Sequence, residues 1–483
     1  MIRLGDLLNG LVAELDVELA GLTIGGLSLD SRQIEPGDVF IALAGQQQHG
    51  LAFAEQALAE GAVAVLYDDQ ADAPNNKNAI QISGLKSQLS KLAQRCWNDP
   101  ASGLDLIAVT GTNGKSSVAW LLAQALDGGM IGTLGTGRPA RFASATHTTP
   151  DVLSLYRTLA ALKVEGIKTI AIEASSHALD QQRLAGLEFS SAVFTNLGHD
   201  HLDYHGNLDH YAAAKARLFR DYDSQRQLIC VDDAFGRELA EELNASAGLI
   251  RYGLEAEHAP QISAEFVRAD LDGLKLNIQL PSGRVECHSR LIGRVNALNL
   301  MVVAAELDQR GVSHDAIARI IARLEPVPGR MTQLRGPAGQ VVVVDYAHTP
   351  DALENALISL RQLTDDRLIC VFGCGGERDR AKRPMMGRVA ESLADRVYIT
   401  DDNPRHEDGL VIVREIQAGM AHPARSRVLR DRAAAIHAAI DDAGSNDVVL
   451  IAGKGHESEQ IVGDEVRAFS DLQTARAACS EAA

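Results

Sequence analysis

The stretch Gly111-Thr112-Asn113-Gly114-Lys115-Ser116-Ser117 carries the residue types and spacing that most directly imply chemistry. Its glycines let the backbone curl so that N–H groups face phosphate oxygens at the start of a helix. In such a loop Lys115 reaches the β- and γ-phosphates and the Ser116 hydroxyl faces Mg2+. The strict pattern places a glycine six residues before the lysine, where this chain has Val109. A Gly-Lys-Ser at an ordinary strand-to-helix turn is the alternative reading. The flanks favour a nucleotide: an apolar run at residues 104–110 precedes the loop and a helical pattern at 118–126 follows it. A guanine reader would want Asn-Lys-x-Asp. Asn76-Lys77-Asn78-Ala79 fails that pattern, so ATP is favoured.

Carboxylates and imidazoles follow. Glu173 ends the run 169–173, where phosphate-loop proteins carry a metal-binding carboxylate; a solvated strand-end glutamate is the alternative. His199, Asp200, His201, Asp203 and His205 put three His and two Asp into seven residues. Zinc would want a further Cys or His patch, whereas hard oxygen ligands beside ATP favour Mg2+. A hydrogen-bonded histidine cluster without metal stays open. Lys215 lies in the helical stretch 211–219 and reads by itself as an ordinary helix lysine.

Four loops in the last third combine glycine, charge and amide groups: 345–348, 373–378, 401–405 and 453–457. Each follows a strand-like run, and ligands of an open parallel sheet bind outside the carboxyl ends of its strands. The four loops are therefore expected to meet in one crevice. Arg405 follows Pro404 in a stiff turn, and a guanidinium holds a carboxylate through two parallel hydrogen bonds. The basic run 378–383 reads equally as a solvated helix start.

The elements that must position these residues alternate strand-length apolar runs with helical patterns. That is an α/β chain with mainly parallel sheets. Its 483 residues make about three domains at roughly 150 residues each. The expected segments are 1–86, 87–326 and 327–483: a first domain, a central ATPase-type parallel sheet carrying the phosphate loop, and a C-terminal Rossmann-like domain. Residues 326–330, Pro-Val-Pro-Gly-Arg, break the pattern at the second boundary. Expected strands include 39–43, 62–67, 191–196, 341–345, 368–372, 397–400 and 448–452.

A net charge of −18 argues against a nucleic-acid scaffold. No apolar run approaches the ~20 residues that span a membrane, and no signal-peptide pattern opens the chain. Six scattered cysteines read as reduced thiols of a cytoplasmic protein. A monomer is expected.

The motifs together resemble the Mur ligase family, which includes the folylpolyglutamate synthetases. The phosphate loop, Glu173-Ala-Ser-Ser-His-Ala-Leu179, Thr195-Asn-Leu-Gly-His-Asp-His-Leu-Asp-Tyr-His-Gly206, Gly293-Arg-Val-Asn-Ala-Leu-Asn299 and Asp345-Tyr-Ala-His-Thr-Pro350 resemble that family's blocks in the same order. Asp402-Asn-Pro-Arg405 with Gly453-Lys-Gly-His-Glu457 resembles its diaminopimelate-adding branch.

The resemblance implies an ATP-dependent amide ligation. ATP phosphorylates the side-chain carboxylate of UDP-N-acetylmuramoyl-L-alanyl-D-glutamate, and the amine of meso-2,6-diaminopimelate displaces phosphate from the acyl phosphate. It implies that Gly111, Thr112, Asn113, Gly114, Lys115, Ser116 and Ser117 bind ATP. Asn299, Arg330, Asp345 and His348 then stand on the nucleoside side. Lys115, Glu173, His201 and Lys215 are the implied catalytic set. Ser116, Glu173, His201 and Lys215, the last as its carbamate, are the implied Mg2+ set. Thr148, Thr149, Ser175, Gln181 and Arg183 match contacts to the muramoyl dipeptide. Leu29, Ser31, Gln46, Gln47 and Gln48 match the uridine pocket. Arg378, Asp402, Asn403, Pro404, Arg405, Gly453 and Glu457 match the diaminopimelate pocket. His147 and the triplet Gln46–Gln48 depart from the usual family residues.

Arg405 carries the substrate choice, because lysine lacks the second carboxylate and would leave the guanidinium unpaired. A lysine-adding or other ligase of the same fold is the first alternative. A nucleotide-regulated binding protein without ligation is the second.

Overall fold

The computed structural model describes residues 2–45, 48–68, 76–139, 141–143, 147–198 and 200–480. The chain forms two compact units, residues 1–110, 126–193 and 203–227 in one and 111–125, 194–202 and 228–483 in the other.

The first unit holds a parallel sheet of Leu27–Ser28, Val39–Ala42, Ala64–Tyr67 and Ala79–Gln81. Val39–Ala42 and Ala64–Tyr67 are buried at every position, as expected of parallel strands covered on both faces. The same unit holds the strand Asp105–Thr110, flanked by Thr169–Glu173 and Phe189–Phe194. Thr169–Glu173 runs parallel to Asp105–Thr110 with Glu173 opposite Val109. Gly129–Gly132 pairs with its other side, and a hairpin of Gly135–Arg138 and Arg141–Ala143 extends the edge. Asp151 caps the helix Val152–Val164 by accepting from the Leu153 and Ser154 N–H groups.

The second unit opens with the phosphate-loop helix Lys115–Ala125, which starts earlier than the expected 118 because the lysine itself supplies its first turn. Its large sheet runs Thr332–Arg335, Val341–Asp345, Val448–Ala452, Leu368–Phe372, Arg396–Ile399, Arg427–Val428. All but the first strand are parallel. Alternate residues fill opposite cores: Val341 and Val343 join Phe372 and Leu450 on one face, while Val342 and Val344 join Val449 and Ile451 on the other. Thr349 caps the helix Pro350–Arg361, whose proline stands where an N–H has no helical partner.

The α/β expectation holds, with one element unanticipated. Ser263–Asp270, Gly273–Leu280 and Gly283–Ser289 form a separate antiparallel sheet. Leu274, Leu276, Ile278 and Leu280 point inward, and Lys275 and Gln279 are exposed. The strand expected at 191–196 lies at Phe189–Phe194 instead. Among the described residues no helix is long and apolar enough to cross a membrane. All six cysteines are free, and burial pushes the Cys370 and Cys374 thiols up to about 12.

Candidate active site

The early end of the strand Phe189–Phe194 has a local cause, because the next residues turn to hold the phosphate loop. Thr195 Oγ1 donates to the Asn113 carbonyl at 2.6 Å, and Asn196 Nδ2 donates to the same carbonyl at 3.1 Å. The Asn113 N–H donates to Asn196 Oδ1 at 2.9 Å, and the Thr112 N–H to the Asn196 carbonyl at 2.8 Å. Gly111 has φ +144°, and a β-carbon there would stand 1.9 Å from Thr195 Oγ1. Lys115 Nζ donates to the Gly111 and Thr112 carbonyls at 2.9 and 2.8 Å, which holds its charge over the loop. Ser116 is buried in the first turn of the helix.

Beside this loop is a cavity of about 430 Å³. Asn113, Gly114 and Ser117 line it together with Asn299, Arg330 and Asp345, so residues far apart in sequence meet there. Asn299 Nδ2 donates to Asn296 Oδ1 at 3.0 Å inside the helix Arg294–Asp308. Asp345 accepts from the Met331 N–H at 2.8 Å. Burial raises its carboxyl pKa, against the opposing pull of Arg330 and of backbone donors. The Arg330 guanidinium stacks over Tyr346 at 4.9 Å from the ring centre. His348 does not line the cavity. It packs against Tyr346, accepts a Lys382 hydrogen bond at its carbonyl, and has its imidazole pKa lowered by burial and then by Lys382.

The four loops of the last sheet do converge. The Gly453 N–H donates to the Asp345 carbonyl, and the Gly376 N–H to the Asn403 carbonyl. Asn403 Nδ2 donates to Glu457 Oε2 at 3.0 Å. Arg405 sits at φ +51°, held by backbone bonds to Ile461 and Gly463, and donates to the Gly376 carbonyl at 2.7 Å. Gly453 packs against Asp402, and Pro404 is buried. Arg378 is exposed at the edge of this group.

In the first unit a second hydrogen-bonded set forms around Glu173. Its carboxylate, fully buried, accepts from the Thr133 N–H at 3.0 Å and the Thr133 hydroxyl at 3.3 Å. Thr133 Oγ1 bonds Thr148 Oγ1 at 3.0 Å. Thr149 Oγ1 bonds the Glu173 carbonyl at 2.5 Å and Ser175 Oγ at 3.2 Å. Arg183 donates to the Thr149 carbonyl at 2.6 Å and to Gln181 Oε1, and burial lowers its pKa. All five residues assigned to the muramoyl dipeptide thus share one network.

Lys215 is 1% exposed, unlike the usual helix lysine, and its Nζ lies 4.3 Å above the Tyr211 ring. The histidine-rich stretch splits. His205 is buried with Nε2 3.0 Å from Ser176 Oγ, whereas His201 is half exposed at φ +53° beside Asp200. Among the described residues no group of three or more His, Cys, Asp or Glu gathers as a metal set. Leu29 is half-buried, Ser31 is buried and bonds Gln56, and Gln48 is exposed. Gln46, Gln47 and His199 lie outside the described residues.

Lys454, Tyr346 and His456 join the converging loops of the last sheet unanticipated; Lys454 and His456 flank Gly455 just after a buried strand, which was their signal in the sequence, and Tyr346 follows the strand-end Asp345.

Three family models match the chain: "Mur ligase family, catalytic domain" over residues 23–95, "Mur ligase middle domain" over 109–307 and "Mur ligase, glutamate ligase domain" over 329–455. A protein of Xanthomonas campestris pv. campestris (strain 8004), named UDP-N-acetylmuramoyl-L-alanyl-D-glutamate–2,6-diaminopimelate ligase, is 47% identical over 95% of both chains. A protein of the same name from Alkalilimnicola ehrlichii is 45% identical over 95% of both. A solved structure of a ligase with that name matches with a TM-score of 0.71 at 33% identity, covering 99% of this chain and 98% of the other. On this agreement, domain by domain and along nearly the whole length, the chain belongs to the Mur ligase family.

Proposed function

We propose that this chain is an ATP-dependent ligase of peptidoglycan synthesis that joins meso-2,6-diaminopimelate to the D-glutamyl carboxylate of UDP-N-acetylmuramoyl-L-alanyl-D-glutamate. The observation that carries the substrate choice is Arg405, anchored at the loop crossing with Asn403 and Glu457 beside it. Identity to relatives named for that reaction supports it along 95% of the chain.

The residues present fit a nucleotide. A cavity of about 430 Å³ falls in the range of small-molecule sites and opens beside backbone N–H groups at a helix N-terminus. ATP would supply the phosphoryl group that turns the carboxylate into an acyl phosphate, from which the amine displaces phosphate, and Mg2+ would supply positive charge between the two anions. The loop Gly111–Ser117 binds ATP, with the Thr112 and Asn113 N–H groups taken by Asn196 and the Lys115 ammonium facing the phosphates. Asn299, Arg330, Asp345 and His348 serve the nucleoside side. The hard oxygens of Ser116 and Glu173 suit Mg2+, with His201 and carbamylated Lys215 completing the assignment. Lys115, Glu173, His201 and Lys215 are the catalytic set.

Thr148, Thr149, Ser175, Gln181 and Arg183 orient the dipeptide, with Leu29, Ser31 and Gln46–Gln48 at the uridine. Arg405 pairs with the carboxylate beside the distal amine, and Arg378, Asp402, Asn403, Pro404, Gly453 and Glu457 surround it. Segments 1–86, 87–326 and 327–483 take the nucleotide-sugar, ATP and the amino acid respectively. The proposal includes a cytoplasmic monomer.

The test is phosphate release with ATP, Mg2+ and the UDP-linked dipeptide, adding meso-diaminopimelate or L-lysine in parallel. Release with diaminopimelate alone is expected. Release with lysine instead would remove Arg405 from its role, and silence with both would remove the ligase reading.

A further inference from the structure

Lys454 is completely buried, although it stands in the loop between the strands Val448–Ala452 and Glu459–Val462. A buried ammonium persists only where it is paired and hydrogen-bonded. Its Nζ donates to Asn403 Oδ1 and to Glu457 Oε2, each at 2.9 Å. Asn403 Nδ2 closes the triangle onto the same Glu457 oxygen at 3.0 Å.

The triangle settles the orientation of the Asn403 amide. Oδ1 faces two donors, Lys454 Nζ and the Ile461 N–H at 3.0 Å, so exchanging it with the NH2 group would set donor against donor. It also orients Glu457, because both hydrogen bonds fall on Oε2. A second buried cation backs the arrangement. Arg432 pairs with buried Asp471 and donates to the Ala452 carbonyl at 3.0 Å, fixing the strand end two residues before Lys454.

We propose that Lys454 is a positioning residue for the incoming amino acid: it holds Asn403 and Glu457 in the one orientation that receives the substrate's ammonium and carboxylate. This rests on the reading of Asn403, Arg405 and Glu457 as amino-acid contacts. The side-chain hydrogen bonds of Lys454 go to Asn403 and Glu457, and it is not among the residues that line the nucleotide cavity, so its removal is expected to act on one substrate. A lysine that only stabilised the fold would shift the kinetics of all three substrates together.

The full-length protein tests this. Wild-type protein is assayed first, with diaminopimelate as the varied substrate. Amino-acid-independent phosphate release there would overturn the reading of the loops, and Lys454 with it. Given dependent release, Lys454→Met is expected to raise the KM for diaminopimelate by about tenfold or more, the equivalent of one or two charged hydrogen bonds. The KM values for ATP and the UDP-linked dipeptide are expected to stay within about twofold. Lys454→Gln, which keeps a donor and is expected to fold where Met fails, should show the same selective rise at smaller size. An unchanged KM for diaminopimelate in a folded variant, or equal rises for all three substrates, would overturn the proposal.

Discussion

Thr195 Oγ1 donates to the Asn113 carbonyl at 2.6 Å from directly above Gly111, where a β-carbon would come within 1.9 Å of that oxygen. The hydroxyl and the glycine are therefore one device: the loop keeps its curl because the hydroxyl occupies the space a side chain would need. Gly111→Ala is expected to lower the phosphate-release rate by about a hundredfold or more, because the loop loses the curl whose carbonyls place Lys115. Thr195→Val removes the bond without the clash and is expected to cost about tenfold. Steady-state rates and the KM for ATP check both, and a Gly111→Ala enzyme of full activity would separate the loop from catalysis.

Lys115 holds its charge against the Gly111 and Thr112 carbonyls. Lys115→Met is expected to reduce turnover by about a thousandfold, the scale for removing one preorganised charge donor. Far-ultraviolet circular dichroism should match the wild type. A drop matched by loss of folded signal would assign the effect to stability.

Lys215 is buried against Tyr211, where an exposed helix lysine was the plain expectation. Lys215→Ala is expected to cut ligation by about a hundredfold while UDP-dipeptide binding, measured by calorimetry, changes by less than about threefold. Full activity in this variant would end the proposed metal-facing role.

Arg405 is anchored to the Gly376 carbonyl at 2.7 Å, which restrains its planar guanidinium among the converging loops. Arg405→Ala is expected to raise the KM for diaminopimelate by about tenfold to a hundredfold. The advantage of diaminopimelate over L-lysine should shrink in the same variant. Competition assays with both amino acids decide it, and retained discrimination would place specificity elsewhere.

Burial, reinforced by Arg330 and His348, lowers the His456 imidazole to about 4. The unfolded chain, with an ordinary value of about 6.5, binds more protons between those values. This contribution to stability is complete above about pH 6.5 and is lost as pH falls toward about 4. His348, lowered by burial and then by Lys382, has the same sign. Asp345, raised by burial, has the opposite sign, with its contribution present at low pH and lost as pH rises through its folded value. The Tm is expected to fall on acidification from about pH 7 to about pH 4.5, and His456→Phe, which keeps a ring against Tyr346, should flatten that slope. Parallel slopes in the two proteins would assign the effect to other groups.

What the sequence by itself determined is what contiguous residues can encode. The phosphate loop was legible because its glycines, lysine and serine stand together between a buried strand and a helix. The crevice was legible because four strongly apolar runs imply parallel strands, and their carboxyl-end loops must share one edge. The antiparallel sheet at Ser263–Ser289 carried a period-2 signal in Leu274, Leu276, Ile278 and Leu280 that the dominant alternation of strands and helices obscured. Only the tertiary structure decided which distant side chains touch. Thr195 and Asn196 leave their strand to hold Asn113, Lys215 loses its solvent, and Lys454 closes a triangle with Asn403 and Glu457. Each of these depends on chain segments brought together by the order of strands in a sheet, and no local propensity records that order.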